Sequence, residues 1–411
     1  MIIKTPEALH SLGEDLLARM LPRIRRENFA EQSIRERARE ELQLLNCDLV
    51  FDPQLWIRFI KSTNVPQKKH WFSDVPIILA HNRNLQVQLL VWTKGTTLIH
   101  SHAFCGAFRV MQGSSVHTSY SFEPEDRVSD LLYLGKLVNV GSEYLCRGSI
   151  RDISSGHQGL VHSLFHLDSP SLTLVVRTHP TTAAMPQLSY YRPGLAVDRF
   201  SMAQDEEIIH LRRLLQLEAS NGSSALEAAV FDAFIGLDAP RLVFLALQFS
   251  GFLGAEQRRV RLLVFVTEHH GERLANMLDE AIQKELIQAR IKEVRGTVEC
   301  PELRYFLALL LNVPNRATLL GMVRERIQAR DPVTACAQWI IELSELRANA
   351  QAFMQEVAAR SQSSGYRLGS RIANRIPANH QLAAIEDWLR QDNGRARNPL
   401  MELPELAPLF N

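Results

Sequence analysis

The chain has 411 residues, enough for two or three domains of roughly 100–200 residues, each with a buried core. Its 46 Lys and Arg against 45 Asp and Glu give a formal charge of +1, which removes the electrostatic basis for a dedicated nucleic-acid binder or a surface drawn to acidic lipid. Five cysteines, at 47, 105, 146, 300 and 336, form neither a CxxC pair nor a close cluster, so no zinc ribbon or disulfide framework is expected, and a reducing cytoplasm fits.

The first segment, MIIKTPEALHSLGEDLLARM, carries acids among its apolar residues, and no uncharged apolar run reaches about 18 residues. Neither an export signal nor a membrane span is expected. PEALHSLGEDLLARMLPRI and IRERAREELQLL place apolar residues at three- and four-residue spacings, which predicts two helices. A third short helix is expected after Asp52-Pro53, where proline suits a first helical turn. Near Trp71 the texture changes. VPIILAH, LQVQLLVWT, AFRVMQG, SVHTSYSF, LLYLGKLVNV, EYLCRG, LVHSLFHL, LTLVVRTH and QLSYYR are short apolar or alternating runs broken by turn residues. Their spacing is that of a β-barrel or sandwich.

After Asp198 helical periodicity returns, from DEEIIHLRRLLQLEA through QLAAIEDWL, with turns such as NGSS (221–224) and NVPN (312–315) between helices. The expected organisation is an all-β domain over 1–200, its barrel at about 71–200 behind a helical lead-in, and an all-helical region over 201–411. Stretches 240–250 and 302–313 are apolar around most of their circumference, so both are expected to be buried centrally in the C-terminal helical bundle. The polar segment 361–380 reads as an exposed loop. The helical half suits a dimerisation element, a lid or a protein-docking platform.

The segment that carries chemistry runs from Val91 to Gly113. Residues two apart on a strand face the same side, so His100 and His102 can direct two imidazoles at one point. His162, in the apolar run GLVHSLFH, is the candidate third ligand. Three neutral imidazoles hold a divalent metal by one face and leave positions for substrate and oxygen. Alone, a His-x-His pair reads more readily as two core-edge histidines with hydrogen-bond partners.

With Gly95 five residues before the pair and Gly113 eleven after it, the segment resembles the first cupin motif. Most cupins carry a glutamate four or five positions after the second histidine, where this chain has Gly106. Cupins without that glutamate include the thiol dioxygenases, of which cysteine dioxygenase is the best known, and residues 50–180 resemble them. Asp52-Pro-Gln-Leu-Trp56 resembles the family's helical lead-in, His81-Asn-Arg83 its Tyr-x-Arg segment, and LLVWTKGTTLIHSH its strand with tryptophan, glycine and His-x-His.

The resemblance implies a cupin jelly-roll barrel holding mononuclear Fe(II) on His100, His102 and His162, and addition of O2 to a thiol to give a sulfinate. It implies that Arg83 binds a substrate carboxylate. The Ser-His-Tyr relay of the animal-type enzymes is replaced by Val175, Arg177 and His179, so Arg177 competes with Arg83 for the anion, while His179 and His81 are placed to tune the oxygen and substrate pocket. Trp92 is either core packing or a wall of the substrate pocket. Cys105 lies one place from the crosslinking cysteine of animal enzymes, and with Gly106 in register no crosslink is expected.

His117, His157 and His166 lie near the same barrel and are read as hydrogen-bonded or turn residues, although His166 shares a strand face with His162 and so also suits a fourth ligand or a partner behind the ligands. Glu207-Ile-Ile-His210 is a single copy of a spacing that di-iron bundles use twice, and Glu268-His269-His270 reads as a helix cap. The expected partners are a small carboxylate-bearing substrate and O2, with no nucleic acid or membrane, and a second copy or protein partner for the helical half. Two other readings stay open. One is a barrel that binds metal or ligand without turnover, fused to an interaction domain; the other is oxidation of a larger modified amino acid.

Overall fold

The computed structural model describes residues 3–67, 73–93, 95–156, 158–180, 186–220, 225–327, 331–361, 385–386, 389–390 and 404–409. Three helices lead the chain: α1 (Pro6–Arg26), α2 (Glu31–Gln43) and α3 (Pro53–Ser62). Thr5 and Asp52 cap α1 and α3 by accepting from backbone N–H groups, and in both a proline occupies the first turn. The apolar stripe of α1, which includes Leu9, Leu16 and Met20, shares one core with Trp56 and Phe59 of α3.

Eleven strands follow among the described residues. The sheet β1-β2-β9-β4-β7 contains β1 (Val75–His81), β2 (Leu85–Trp92), β4 (Gly106–Gln112), β7 (Ile150–Ile153) and β9 (Ser171–Thr178). A closed barrel in the order β10-β11-β6-β5-β8-β3 contains β3 (Ile99–His100), β5 (Ser115–Ser129), β6 (Leu132–Leu145), β8 (Val161–His166), β10 (Ser189–Tyr191) and β11 (Leu195–Val197). Every pairing within both sheets is antiparallel. The all-β barrel with helical lead-in and helical continuation is therefore the fold the sequence predicts.

Alternation along β2 and β9 divides the five-stranded sheet into two unlike faces. Val87, Leu89, Val91, Leu172, Leu174 and Val176 pack on the N-terminal helices. On the opposite face, Leu90, Trp92, Phe108 and Val175 form an interior cluster with Leu164 of β8. That interior is where the candidate site lies. One difference from the sequence reading is the length of the β5–β6 hairpin. Its tip, through Glu125, Asp126 and Arg127, is exposed, and without a buried face there is no apolar alternation to mark it as strand.

Two compact units divide the chain at Ile287 and Gln288, well past the end of β11. In the first unit, α4 (Arg199–Met202), α5 (Glu206–Ser220), α6 (Leu226–Phe234), α7 (Ala239–Gln248), α8 (Ser250–Leu253), α9 (Glu256–His270) and the first part of α10 (Glu272–Thr297) follow the barrel. Leu132, Leu134, Leu195 and Val197 of the barrel share one core with Phe231, Phe244, Leu262 and Leu278 of these helices. The physical reason for the division is this shared core, which binds residues 199–287 to the barrel.

The second unit contains α11 (Pro301–Asn312), α12 (Arg316–Arg326), α13 (Pro332–Ser361) and a 3-10 turn at Pro404–Leu409. The two apolar helices are both deeply buried, but in different units: Leu242–Leu247 of α7 in the first and Tyr305–Asn312 of α11 in the second. Of the loop expected over 361–380, Ser361 instead ends α13, and the remainder, with most of QLAAIEDWL, falls outside the described residues. Among the described residues no helix is long and apolar enough to cross a membrane.

Candidate metal centre

β3 places His100 directly across from His162 of β8, and a bridge to Gly156 positions His102 just beyond the strand. The strand face of His162 and Leu164 is the one that meets the interior cluster, whereas Val161 belongs to a different core with Ile99 and Tyr190. All three histidines are 2% exposed. Their ring centroids lie 4.6 to 4.9 Å apart, and one nitrogen from each lies within 4.8 Å of the others. Among the described residues no other group of three or more His, Cys, Asp or Glu side chains converges in this way.

The donor set fits a divalent ion. Burial holds the His100 imidazole down at about 4, and burial, followed by the other histidines, holds His102 and His162 well below the ordinary value of 6.5. Neutral imidazoles are the form that ligates. His162 Nε2 is buried with no hydrogen-bond partner, a cost that a metal would remove. His100 Nδ1 lies 2.8 Å from the Leu98 carbonyl oxygen and His102 Nδ1 lies 3.3 Å from that of Leu160, so both donate there and turn Nε2 away from the backbone.

A pH dependence follows for the metal-free protein. Between the unfolded value near 6.5 and the folded value near 4, the unfolded chain binds the proton at His100 and the folded chain does not, so this stability is full above 6.5 and is lost as pH falls through the window. For His100 alone the loss saturates on the order of 3 kcal/mol. Thermal melts without metal are expected to hold level from pH 8 to 7 and then decline toward pH 4. A melting temperature that stays constant down to pH 4 removes the buried neutral histidines from the account.

Gly106, where the resemblance drawn from the sequence would place a carboxylate, has no room for one. It lies directly across from Arg177 of β9, and a Cβ at this position would come within 2.0 Å of the Val176 carbonyl oxygen and 2.7 Å of Arg177 Cα. The two strands approach too closely for any side chain there. The same alternation that puts Val175 in the interior turns Arg177 inward, 5% exposed, with its guanidinium 4.4 Å from the centre of the Phe104 ring. Phe104 in turn meets the His102 ring edge-on at 5.0 Å. Arg177 Nε donates to Gln88 Oε1 at 3.2 Å and Nη1 to the Thr178 carbonyl at 3.1 Å. Burial pushes this guanidinium down to about 10, and among the described residues no carboxylate pairs with it. Gln88 Nε2 is buried beside it with no partner.

The other candidates are distributed as follows. Arg83 and His81 are exposed at the β1–β2 turn, and half-buried His179 bonds the Asn82 carbonyl at 2.8 Å, with its ring 6.2 Å from that of His81. The structure gathers these three at the turn, whereas Arg177 joins the buried interior. Trp92 stacks on His166 at 4.7 Å and leaves no room for a Cβ on Gly95, which would come 2.6 Å from its ring. His166 Nδ1 is 2.8 Å from Ser171 Oγ. Cys105 is a buried free thiol, pushed up to about 11 by burial. Glu207 and His210 are exposed on α5, and His269 Nδ1 donates to the Phe265 carbonyl at the end of α9. His157 lies outside the described residues.

Three side chains around the candidate site escape sequence reasoning: Gln88, Phe104, and Glu143 with its tie to His117. Glu143 Oε1 is 2.8 Å from His117 Nδ1, and His117 Nε2 is 2.8 Å from His162 Nδ1. Arg151 donates to both Glu143 oxygens, and Arg151 first, then His117, holds this carboxyl down at about 2. Alternation alone shows His117 facing inward; its partner across the hairpin is fixed only by the observed register.

No family model matches the sequence, and no curated protein matches it. Solved structures similar to it include a cupin-2 domain containing protein from Shewanella frigidimarina, at 17% identity over 28% of this chain and 85% of that chain, with a TM-score of 0.17. Hydroquinone 1,2-dioxygenase from a Sphingomonas species is similar at 14% identity over 30% of this chain and 72% of that chain, with a TM-score of 0.22. KdgF from a Halomonas species is similar at 18% identity over 27% of this chain and 89% of that chain, with a TM-score of 0.18.

Proposed function

We propose that this chain is a mononuclear non-haem iron oxygenase that adds O2 to the thiol of a small carboxylate-bearing substrate. The observation that carries the reading is the convergence of three buried, neutral imidazoles with no carboxylate among them. Ferrous iron, when held by three such donors, supplies open positions at which a thiolate and O2 can be brought together.

The chain's own residues do the rest. Arg177 and Gln88 offer N–H groups to a carboxylate from within the interior, and a buried guanidinium with no acid beside it gains most from an anionic ligand. Its burial favours Arg177 over exposed Arg83 for this role. Phe104 and Phe108, which lie 5.0 Å from His102 and 6.3 Å from His162, keep water from the reacting sulfur. The net change, RSH + O2 to RSO2H, takes four electrons from sulfur and places both oxygen atoms on it, so no external reductant is required.

Protein purified without oxygen should contain near-stoichiometric iron. It should then consume O2 with 3-mercaptopropionate or cysteine and not with cysteamine, which lacks the carboxylate. Iron without uptake on any of the three thiols discards this reaction in favour of a larger modified amino acid as substrate. Folded protein that binds no metal discards the oxygenase altogether and leaves a ligand-binding barrel.

A further inference from the structure

His100 and His102 each direct Nδ1 at a backbone carbonyl, an acceptor that cannot reverse its role. His162 is held differently. Its Nδ1 meets His117 Nε2 at 2.8 Å, and a neutral imidazole can either give or take a hydrogen bond at that atom. What fixes the direction is the next group along. His117 lies directly across the hairpin from Glu143, whose carboxylate only accepts, and Arg151, two residues before the end of β7, grips both oxygens of that carboxylate.

The chain of donors follows from the anion. In the neutral imidazole, His117 Nδ1–H donates to Glu143 Oε1 and Nε2 is left as an acceptor. His162 Nδ1–H donates to that nitrogen, and His162 Nε2 is left with a bare lone pair inside the histidine cluster. We propose that Glu143 and His117 are positioning residues that lock His162 in the tautomer whose Nε2 ligates the metal, so that a half-exposed carboxylate sets the ligating atom of a buried histidine. This rests on reading His100, His102 and His162 as a metal site. It also accounts for the burial of His117 against His162.

The relay can be read without metal. In metal-free protein labelled with 15N-histidine, the nitrogen spectra should show the proton on Nδ1 of both His117 and His162. Glu143→Leu, at a half-exposed position, should mix the two tautomers of His162 and weaken Co(II) binding about 10–100-fold, followed by the visible absorption of the cobalt form. Glu143→Gln keeps one accepting oxygen and should recover part of the affinity. A proton on His162 Nε2 in the unmodified protein, or equal Co(II) affinity in unmodified and Glu143→Leu proteins, overturns the positioning role alone. Unmodified protein that takes up no Co(II) overturns the metal reading, and this inference with it.

Discussion

His162→Ala is expected to yield folded protein that has lost its metal, with affinity reduced by more than the roughly 10–100-fold that removal of an outer partner costs. His162 supplies one of three converging nitrogens, and its Nε2 is buried without a hydrogen-bond partner. Truncation also strands His117 Nε2, so a stability loss of about 1–3 kcal/mol should accompany it. The informative control is His166→Ala. That residue lies on the same strand four positions away, but it stacks on Trp92 and bonds Ser171, so its removal should leave the metal content unchanged. Metal analysis of the two variants after anaerobic purification separates the cases, and equal metal content in both would remove His162 from the ligand set.

Arg177→Met is expected to raise KM for a carboxylate-bearing thiol about 10–150-fold with little change in kcat, the signature of lost binding shared by ground and transition states. A charge-assisted contact of about 1.5–3 kcal/mol corresponds to that range. The same substitution should leave the melting temperature unchanged or raised, because a buried guanidinium without an acid partner burdens the folded state. Arg83→Met, at an exposed turn position, should match the unmodified protein in both KM and kcat. If the KM effect appears at Arg83 and not at Arg177, the anion site belongs to the β1–β2 turn.

Much of the fold was legible because the physics is local. Helix starts at Pro6 and Pro53 carry their own caps, and strands with one buried face show it as alternation. The three histidines were legible for the same reason: one pair is two residues apart, and the third lies in an apolar run. What could not be read depends on register and on long-range packing. The β5–β6 hairpin shifts register at three places, so counting back from its turn does not bring Glu143 opposite His117. Arg83 and Arg177 are indistinguishable by residue type, and only the alternation of β9 against the exposed turn separates a buried cation from a solvated one. The division at 287 was hidden because helix periodicity says that a face is buried, not which neighbour buries it.

The tight apposition of β4 and β9 has a consequence for redesign. At position 106 the backbone of the neighbouring strand already fills the volume a first side-chain carbon would need. Placing an acid beside the imidazoles from this position is therefore not a single-codon change. Placing Glu at this glycine would wedge the strands apart and swing the inward-facing guanidinium out of register before any carboxylate oxygen reached the histidines, so the absence of an acid at this position is built into the sheet itself.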